Sequence, residues 1–392
     1  MASTGSRALA LEGALEQISA RAHALDAEPR FPRENLDDLQ AVGALAPTAL
    51  QEHSLREEIG LVRAVARVDA STARILDGHL NGVERVALSA PAALREAELS
   101  AITAGRLLLG VWGADPAPGE GEPAHVIRAA DGSLVLCGVK TFCSGAGGVQ
   151  RALVVVNDEH QRRRLAYIDA HSGLLIDRNW YRASGLRASE SHRVEFDSTP
   201  VLALLGDENE LLRQPYFARD AVRTAATWAG IADGIVAAAI AALRERSLDD
   251  SQLAAVGRMS AAQGTVDRWL AFAGARLDAS IDVADEQQPD ETFDAQRLAH
   301  ECRAELTSAC RVISDQAAQA CGSRSLVDGS ALDRGRRDLD LFLLQHRLTP
   351  QLTRLGRLRV EAEDSSPPED HSPLEDHSPP EDSSPPDGSA AG

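Results

Sequence analysis

The sequence predicts a mainly helical fold with a β-domain inserted between two helical regions. Apolar residues recur at helical spacing up to about residue 106, short strand-like runs follow to about residue 205, and long helical patterns then return. Ala and Leu dominate an apolar content of 44%, whereas aromatic residues make up only 4%. Such a composition favours closely packed helices over a large β-sandwich.

The first helical region shows two patterns. One helix opens at Phe31, and its apolar positions recur at helical spacing until Pro47. A longer helical pattern runs from Leu55 to Leu88. In the last helical region the breaks fall near residues 248–252, 286–291 and 322–334, which predicts helices long enough to pack as an up-down bundle.

The middle region alternates short runs rich in Val and Leu with turn signals such as Asp131-Gly132 and Ser184-Gly185. The predicted strands span residues 107–112, 125–128, 133–137, 152–156, 165–168 and 192–196. Six short strands between helices predict a compact β-domain in a three-part chain.

Charge and composition exclude several classes of function. Residues 361–392 repeat an acidic, Pro- and Ser-rich hexad, with ten acidic groups and no Lys or Arg, and we predict this tail to be disordered. Without those ten groups the formal charge of −19 becomes −9, which is ordinary for a cytoplasmic enzyme. No basic stripe is present, which argues against a nucleic-acid partner.

Membrane insertion, disulfides and structural metal are also not expected. The run from Thr224 to Leu243 approaches the length of a bilayer but is rich in Ala and contains Asp233, which favours a buried bundle helix. The N-terminus lacks the pattern of a signal peptide. Five cysteines without CxxC spacing predict small buried side chains in a reducing compartment, and no metal site.

Three segments are candidates for chemistry, each with a simpler alternative. Phe142 and Ser144 lie two residues apart in a strand that enters a glycine-rich turn, so they could present a flat ring and a hydrogen bond to a planar ligand, or form a plain strand and turn. Residues 180–191 place an aromatic pair, a glycine turn, an arginine and spaced serines before a strand, or form an ordinary hairpin. Residues 319–323 end a helix, and the next helix start could bind an anion, or the segment is a C-cap and surface loop.

In this order and spacing, the segments resemble the acyl-CoA dehydrogenase family over roughly residues 10–358. Residues 140–145 are similar to its K-x-[WF]-[IC]-[ST]-[GN] strand, and residues 185–189 to its G-M-R-x-[ST] hairpin. Residues 223–230 resemble its R-x-x-A-x-x-x-G helix, and residues 319–322 followed by Arg337-Asp338 resemble its closing segment.

The resemblance implies an N-terminal helical domain (residues 1–106), a middle β-barrel (107–205) and a C-terminal four-helix bundle (206–360), followed by the tail. It also implies a flavin between barrel and bundle, FAD or alternatively FMN, often bound across a homodimer or homotetramer interface. Phe142 is expected against the isoalloxazine and Ser144 near its reactive nitrogen, with residues 319–323 near a neighbouring subunit's cofactor. The cofactor-binding residues so implied are Trp112, Phe142, Cys143, Ser144, Gln319, Gly322 and Ser323.

Two positions depart from that family's pattern. Trp112 stands where a flavin-contacting hydroxyl is often found, and His346 stands where many members carry a catalytic Glu. A neutral imidazole can act as a base near neutral pH, and the monooxygenases of the same fold also tend to carry a His there. His346 could instead merely cap or pack a helix.

Three functions therefore stay open. The first is an acyl-CoA dehydrogenase-like oxidoreductase that acts on a CH–CH bond of an acyl thioester, with His346 as the candidate base and an electron-transfer partner. The second is a flavin-dependent monooxygenase supplied by a flavin reductase. The third is a binding protein that has kept the fold and lost turnover.

Overall fold

Helices flank a β-sheet along the chain, as the residue pattern predicts. The computed structural model describes residues 4–46, 54–285, 294–327, 329–345 and 348–364. The helices before the sheet are α1 (Thr4–Ala27), α2 (Arg33–Ala41), α3 (Leu55–Val68), α4 (Ala70–Ser89) and α5 (Ala92–Thr103). The helices after it are α6 (Tyr216–Leu243), α7 (Asp250–Asp285), α8 (Ala295–Cys321), α9 (Ala331–Gln345) and α10 (Thr349–Asp364).

Side-chain caps set where the N-terminal helices begin. Ser54 and Glu57 form a reciprocal capping box at the start of α3, because each side chain bonds the other residue's backbone N–H. Asp69 accepts a 2.7 Å hydrogen bond from the backbone N–H of Thr72 and so starts α4. The continuous pattern from residue 55 to 88 is therefore two helices, divided by an extended residue at Asp69.

The inserted region forms one mixed sheet of seven strands. The strands are β1 (Leu109–Trp112), β2 (His125–Arg128), β3 (Leu134–Cys143), β4 (Arg151–Asn157), β5 (Arg163–Asp169), β6 (Leu174–Asp177) and β7 (His192–Leu205). The six predicted strands are confirmed, although β3 and β7 are longer than predicted. The sequence pattern missed β6, whose side chains are all half-buried or exposed.

The sheet curls back towards its first strands. Pairings lead from β4 through β5, β7 and β3 to β2. One parallel pair, His125 opposite Asn157, then joins β2 to β4 again. Because the closing contact is a single residue pair, we describe the predicted barrel as a curled mixed sheet.

Helix α6 is the central helix of the C-terminal bundle and packs against α3, α4, α7, α8 and α9. It crosses α3 closely because Gly230 and Gly234 have no side chain. A Cβ at Gly230 would lie 2.2 Å from the carbonyl oxygen of Arg63. Among the described helices, only α6 is long and apolar enough to cross a membrane, and more than half of its apolar window is buried inside the protein.

The described residues up to Leu348 form one compact unit, and those from Thr349 to Asp364 belong to a separate one. Helix α10 is the described part of the second unit, and the predicted disordered tail lies outside the described residues from residue 365 onward. The division of the first unit at residues 106 and 205 stays a prediction.

Candidate functional site

Phe142 lies at an irregularity in the pairing of β3 with β7. The register shifts between Lys140 and Cys143, and Phe142 adopts a left-handed backbone with φ +52°. A bulge of this kind redirects a side chain out of the strand's normal alternation. The ring is 43% exposed and meets Trp180 and Tyr181 edge-on, with centroids 5.0 and 6.4 Å away.

Ser144 belongs to a buried row of hydroxyl groups beside this aromatic group. Its Oγ lies 2.9 Å from Ser191 Oγ, which lies 2.8 Å from Ser189 Oγ. Burial raises the pKa of Tyr181 to about 12, although hydrogen bonds from Ser189 and Ser191 oppose the shift, so this phenol is a neutral donor. Strand β3 ends at Cys143, so Ser144 lies outside the strand and the predicted period-two alignment of Phe142 with Ser144 does not apply. Tyr181 connects the two instead, because it contacts the Phe142 ring and the serine hydroxyls.

His192 is the most informative residue that the sequence analysis missed. It pairs with Cys143 across the β3–β7 ladder, and its ring lies 6.4 Å from that of Tyr181. The residue is 5% exposed, and neither ring nitrogen has a hydrogen-bond partner among the described residues. The nearest carboxylate, Glu190, is 3.7 Å away and is bonded to Arg178. A buried imidazole with unused nitrogens indicates a place for a ligand.

Trp112 and Cys143 support the site from within the core. Trp112 is fully buried, and its indole N–H donates a 3.1 Å hydrogen bond to the carbonyl oxygen of Ser144. Cys143 is also fully buried, and burial raises the pKa of its thiol far above the usual range. Trp112 holds the Ser144 backbone in place, and the predicted contact of both residues with a cofactor stays a prediction.

The hairpin that carries the serines is fixed to α9 by Asp338. Its Oδ1 accepts a 2.6 Å hydrogen bond from the backbone N–H of Leu186. Gly185 approaches α9 so closely that a Cβ there would lie 2.2 Å from the carbonyl oxygen of Arg337. Burial raises the pKa of Asp338 to about 7, despite the hydrogen bond from Leu186.

Replacing Asp338 with Asn is expected to flatten the pH dependence of stability. Because the folded pKa is raised, the folded state binds more protons, and the contribution of Asp338 falls as pH rises from about 4 to about 7. Asp338→Asn keeps the acceptor for Leu186 and should be more stable than wild type at pH 8 by a few kcal/mol, on the order of 2–4. Urea unfolding across this pH range tests the prediction, with Asp37→Asn on the exposed face of α2 as the control. An unchanged pH profile would contradict it.

A cavity of about 470 Å³ adjoins Tyr181 and is bordered by three arginines, Arg182, Arg187 and Arg337. Arg337 is neutralised by Asp26 and Asp333. Arg182 donates only to the carbonyl oxygen of Asn179, and Arg187 forms no hydrogen bond or ion pair within the described part of the chain. The cavity therefore offers positive charge to an anionic group.

The remaining predicted residues lie elsewhere. Gly322 ends α8 with φ +75°, as a C-cap glycine does. Gln319, Gly322 and Ser323 are exposed at that helix end, and no hydrogen bond links them to the Phe142 region within the described residues. His346 lies outside the described residues, so its predicted role as a base stays a prediction. No group of three or more His, Cys, Asp or Glu suited to a metal ion occurs among the described residues.

Solved structures resemble this arrangement over nearly the whole chain. FMN-bound TdsC of Paenibacillus sp. A11-2, a dibenzothiophene monooxygenase, superposes with a TM-score of 0.80 at 18% identity, over 91% of this chain and 97% of that chain. The methanesulfinate monooxygenase MsuC of Pseudomonas fluorescens gives 0.78 at 21% identity, over 92% and 98%. The chain has the acyl-CoA dehydrogenase fold.

KijD3 is a third protein with this fold. Its complex with dTDP gives a TM-score of 0.77 at 20% identity, over 91% of this chain and 95% of that chain. A further KijD3 structure contains FMN together with a dTDP-linked amino sugar. No protein-family model matches the chain, and a search of curated proteins finds no match. The acyl-CoA dehydrogenase fold is thus recognised in three dimensions and not through close sequence relatives.

Proposed function

We propose that the chain is a flavin-dependent monooxygenase that uses FMN, reduced by a partner reductase, and molecular oxygen. The observation that carries the proposal is the exposed Phe142 ring beside a buried hydroxyl row and an unpartnered His192. Similar solved structures described as FMN-bound, or as monooxygenases, support this reaction over a dehydrogenation.

The residues of this site fit a flat, polar ring system. Phe142 offers an aromatic face, and Trp180 and Tyr181 hold that ring edge-on. Ser144 can donate a hydrogen bond to a ring nitrogen, because its hydroxyl proton is free to rotate. His192 can bind a ring carbonyl or nitrogen, which would satisfy an imidazole that otherwise lacks a partner.

The proposed cofactor is FMN, where the sequence analysis put FAD first. The cavity beside Tyr181 presents Arg182 and Arg187, which suit a single phosphate group. Gln319, Gly322 and Ser323, expected near an adenine, have no link to this cavity within one described chain. The predicted homodimer or homotetramer, in which a neighbour would supply such a contact, remains part of the proposal.

The chain's own residues bind and shield the cofactor in this proposal. When bound, reduced FMN would supply the two electrons needed for one atom of O2 to enter the substrate while the other is reduced to water. Ser144 and His192 would hold the flavin ring through hydrogen bonds, and Phe142 would supply the aromatic contact. Neutral Tyr181, whose O–H is directed at the carbonyl oxygens of Gly185 and Leu186, would hold the serine hairpin beside the ring without adding a charge.

A dehydrogenase would need a base for α-proton abstraction. Of the described carboxylates near the hydroxyl row, Glu190 binds Arg178, and Asp338 accepts from the backbone of Leu186, where it holds the serine hairpin. His346, the remaining candidate base, would suit a hydrogen-bonding role in a monooxygenase equally well. This distribution of groups favours the oxygenase.

Flavin binding and oxygen use together test the proposal. The purified protein is expected to bind FMN more tightly than riboflavin or FAD, and to consume oxygen only when a flavin reductase and NADH supply reduced FMN. Anaerobic bleaching of the bound flavin by an acyl thioester would instead establish the dehydrogenase. Failure to bind any flavin would overturn both reactions and leave the binding protein.

A further inference from the structure

Arg303 on α8 is a buried cation without a carboxylate partner. The described chain buries four arginines to 9% exposure or less, and the other three, Arg85, Arg219 and Arg223, all form ion pairs. Arg303 makes no hydrogen bond or ion pair with any described residue, and its Nε is unsatisfied. Its guanidinium lies over the ring of Trp228, 5.2 Å from the centroid.

The surroundings of Arg303 are aromatic and polar at once. Trp228 meets Phe342 of α9 edge-on at 6.3 Å, and the guanidinium of Arg74 lies 5.7 Å from the Phe342 ring. The hydroxyls of Thr227 and Thr307 nearby on α6 and α8 are buried without a hydrogen-bond partner. Trp228 and Phe342 are themselves fully buried, whereas Arg303 and Thr307 each keep 9% exposure, so the unsatisfied polar groups are the part of this cluster that a ligand could reach.

This group adjoins the proposed flavin site. Arg74 is close enough to Tyr181 to influence the pKa of its phenol. Phe342 lies one helical turn after Asp338, which holds the serine hairpin. An anion bound to Arg303, whose guanidinium lies over Trp228, would therefore be near the residues that we assign to the flavin.

The local charge balance is positive. Asp77 is the carboxylate that interacts electrostatically with Arg303, but it is already bonded to Arg74 at 3.0 Å and to Thr224 at 3.0 Å. Burial lowers the pKa of Arg303 to about 10, and Asp77 only partly opposes that shift. Leaving a guanidinium buried and unpaired is unfavourable, and binding of an anion would offset that cost.

We propose that Arg303 recognises the oxyanion of the substrate, so that this enzyme oxidises an organic acid. Its forked guanidinium matches a carboxylate or sulfinate, and the unsatisfied hydroxyls of Thr227 and Thr307 could donate to the same oxyanion. The proposal rests on the monooxygenase function for the reaction but not for the binding of the acid. Arg303 acts here as a specificity-determining residue.

Thermal unfolding with matched probes tests this assignment. Benzoate and methanesulfinate are expected to raise the Tm of the full chain, with or without FMN, whereas benzamide and dimethyl sulfoxide are not. Sodium chloride at the same ionic strength controls for general salt effects. Arg303→Met should abolish the response, Arg303→Lys should keep part of it, and both variants should bind FMN as wild type does.

Two results would overturn the assignment. One is the absence of any Tm response to both anions in wild type. The other is an equal response in wild type and Arg303→Met, which would place anion binding at the Arg182 and Arg187 cavity. Arg303→Met should also have a higher ligand-free Tm than wild type, because an unpaired buried charge is removed. If wild type fails to bind FMN but keeps an anion response that depends on Arg303, the proposed function is refuted and the assignment of Arg303 as the anion-binding residue stands.

Discussion

Arg223→Met is expected to destabilise the protein by about 3–5 kcal/mol, the largest effect of any single substitution proposed for this chain. Arg223 is fully buried and contacts three carboxylates: Glu58 at 2.6 Å, Asp220 at 3.1 Å and Glu84 at 3.6 Å. It also donates to Asn81. Removing the cation takes away the ion pair of Glu58 and leaves Glu84 and Asp220 with Arg219 and Arg85 as their remaining partners, at the junction of α3, α4 and α6.

Urea unfolding at neutral pH measures this loss. The destabilisation should shrink as pH falls, because the buried carboxylates that lose Arg223 can then be protonated; burial already raises the pKa of Asp220 to about 7. Arg297→Ala is the control, since Arg297 is 60% exposed and pairs only with Glu301 on the same helix, and a change below about 1 kcal/mol is expected. A loss no larger than that of the control would contradict the assigned role of Arg223.

Phe142→Gly is expected to weaken FMN binding by roughly 10-fold or more while leaving stability nearly unchanged. Glycine adopts the left-handed backbone of this position without the cost of about 1–2 kcal/mol that a side chain incurs. That gain offsets the loss of the edge contacts with Trp180 and Tyr181, worth about 0.5–1.5 kcal/mol each. Because the Phe142 ring is exposed, lies on strained backbone and adds little to stability, we infer that it serves binding.

Titration with FMN and thermal unfolding of the same samples separate the two effects. Phe142→Tyr should retain the affinity, because the aromatic face is preserved. Leu175→Ala removes another exposed apolar side chain of the same sheet and should change neither quantity. Equal losses of stability and affinity in Phe142→Gly would mean that Phe142 serves only the fold.

The order of helices and strands could be predicted from the sequence because it depends on local periodicity. The strand at His125–Arg128 was predicted to the residue, and the Gly322 C-cap follows from local chemistry. Helix α3 and helix α4 were merged because the apolar spacing continues through Asp69, where only a capping hydrogen bond marks the break. Strand β6 was missed because four half-exposed residues carry too weak a pattern.

The site was predictable only in part, because its geometry depends on contacts distant in sequence. The segment around Phe142 and Ser144 was identified from a motif, but the predicted alternation of their side chains is broken by the bulge against β7. His192 looked like an ordinary strand residue, and its significance depends on the absence of a partner in the folded chain. Arg303 gives no local signal either. The other three buried arginines pair with carboxylates far away in sequence, so the sequence alone does not show which arginine lacks such a partner.

An X-ray structure of the protein crystallised with FMN tests the central claim most directly. The account predicts the isoalloxazine in contact with the Phe142 ring, with Ser144 Oγ or a nitrogen of His192 hydrogen-bonded to it and the phosphate near Arg182 or Arg187. Flavin bound away from Phe142, or a His192 that bonds only to protein groups in that complex, would contradict it.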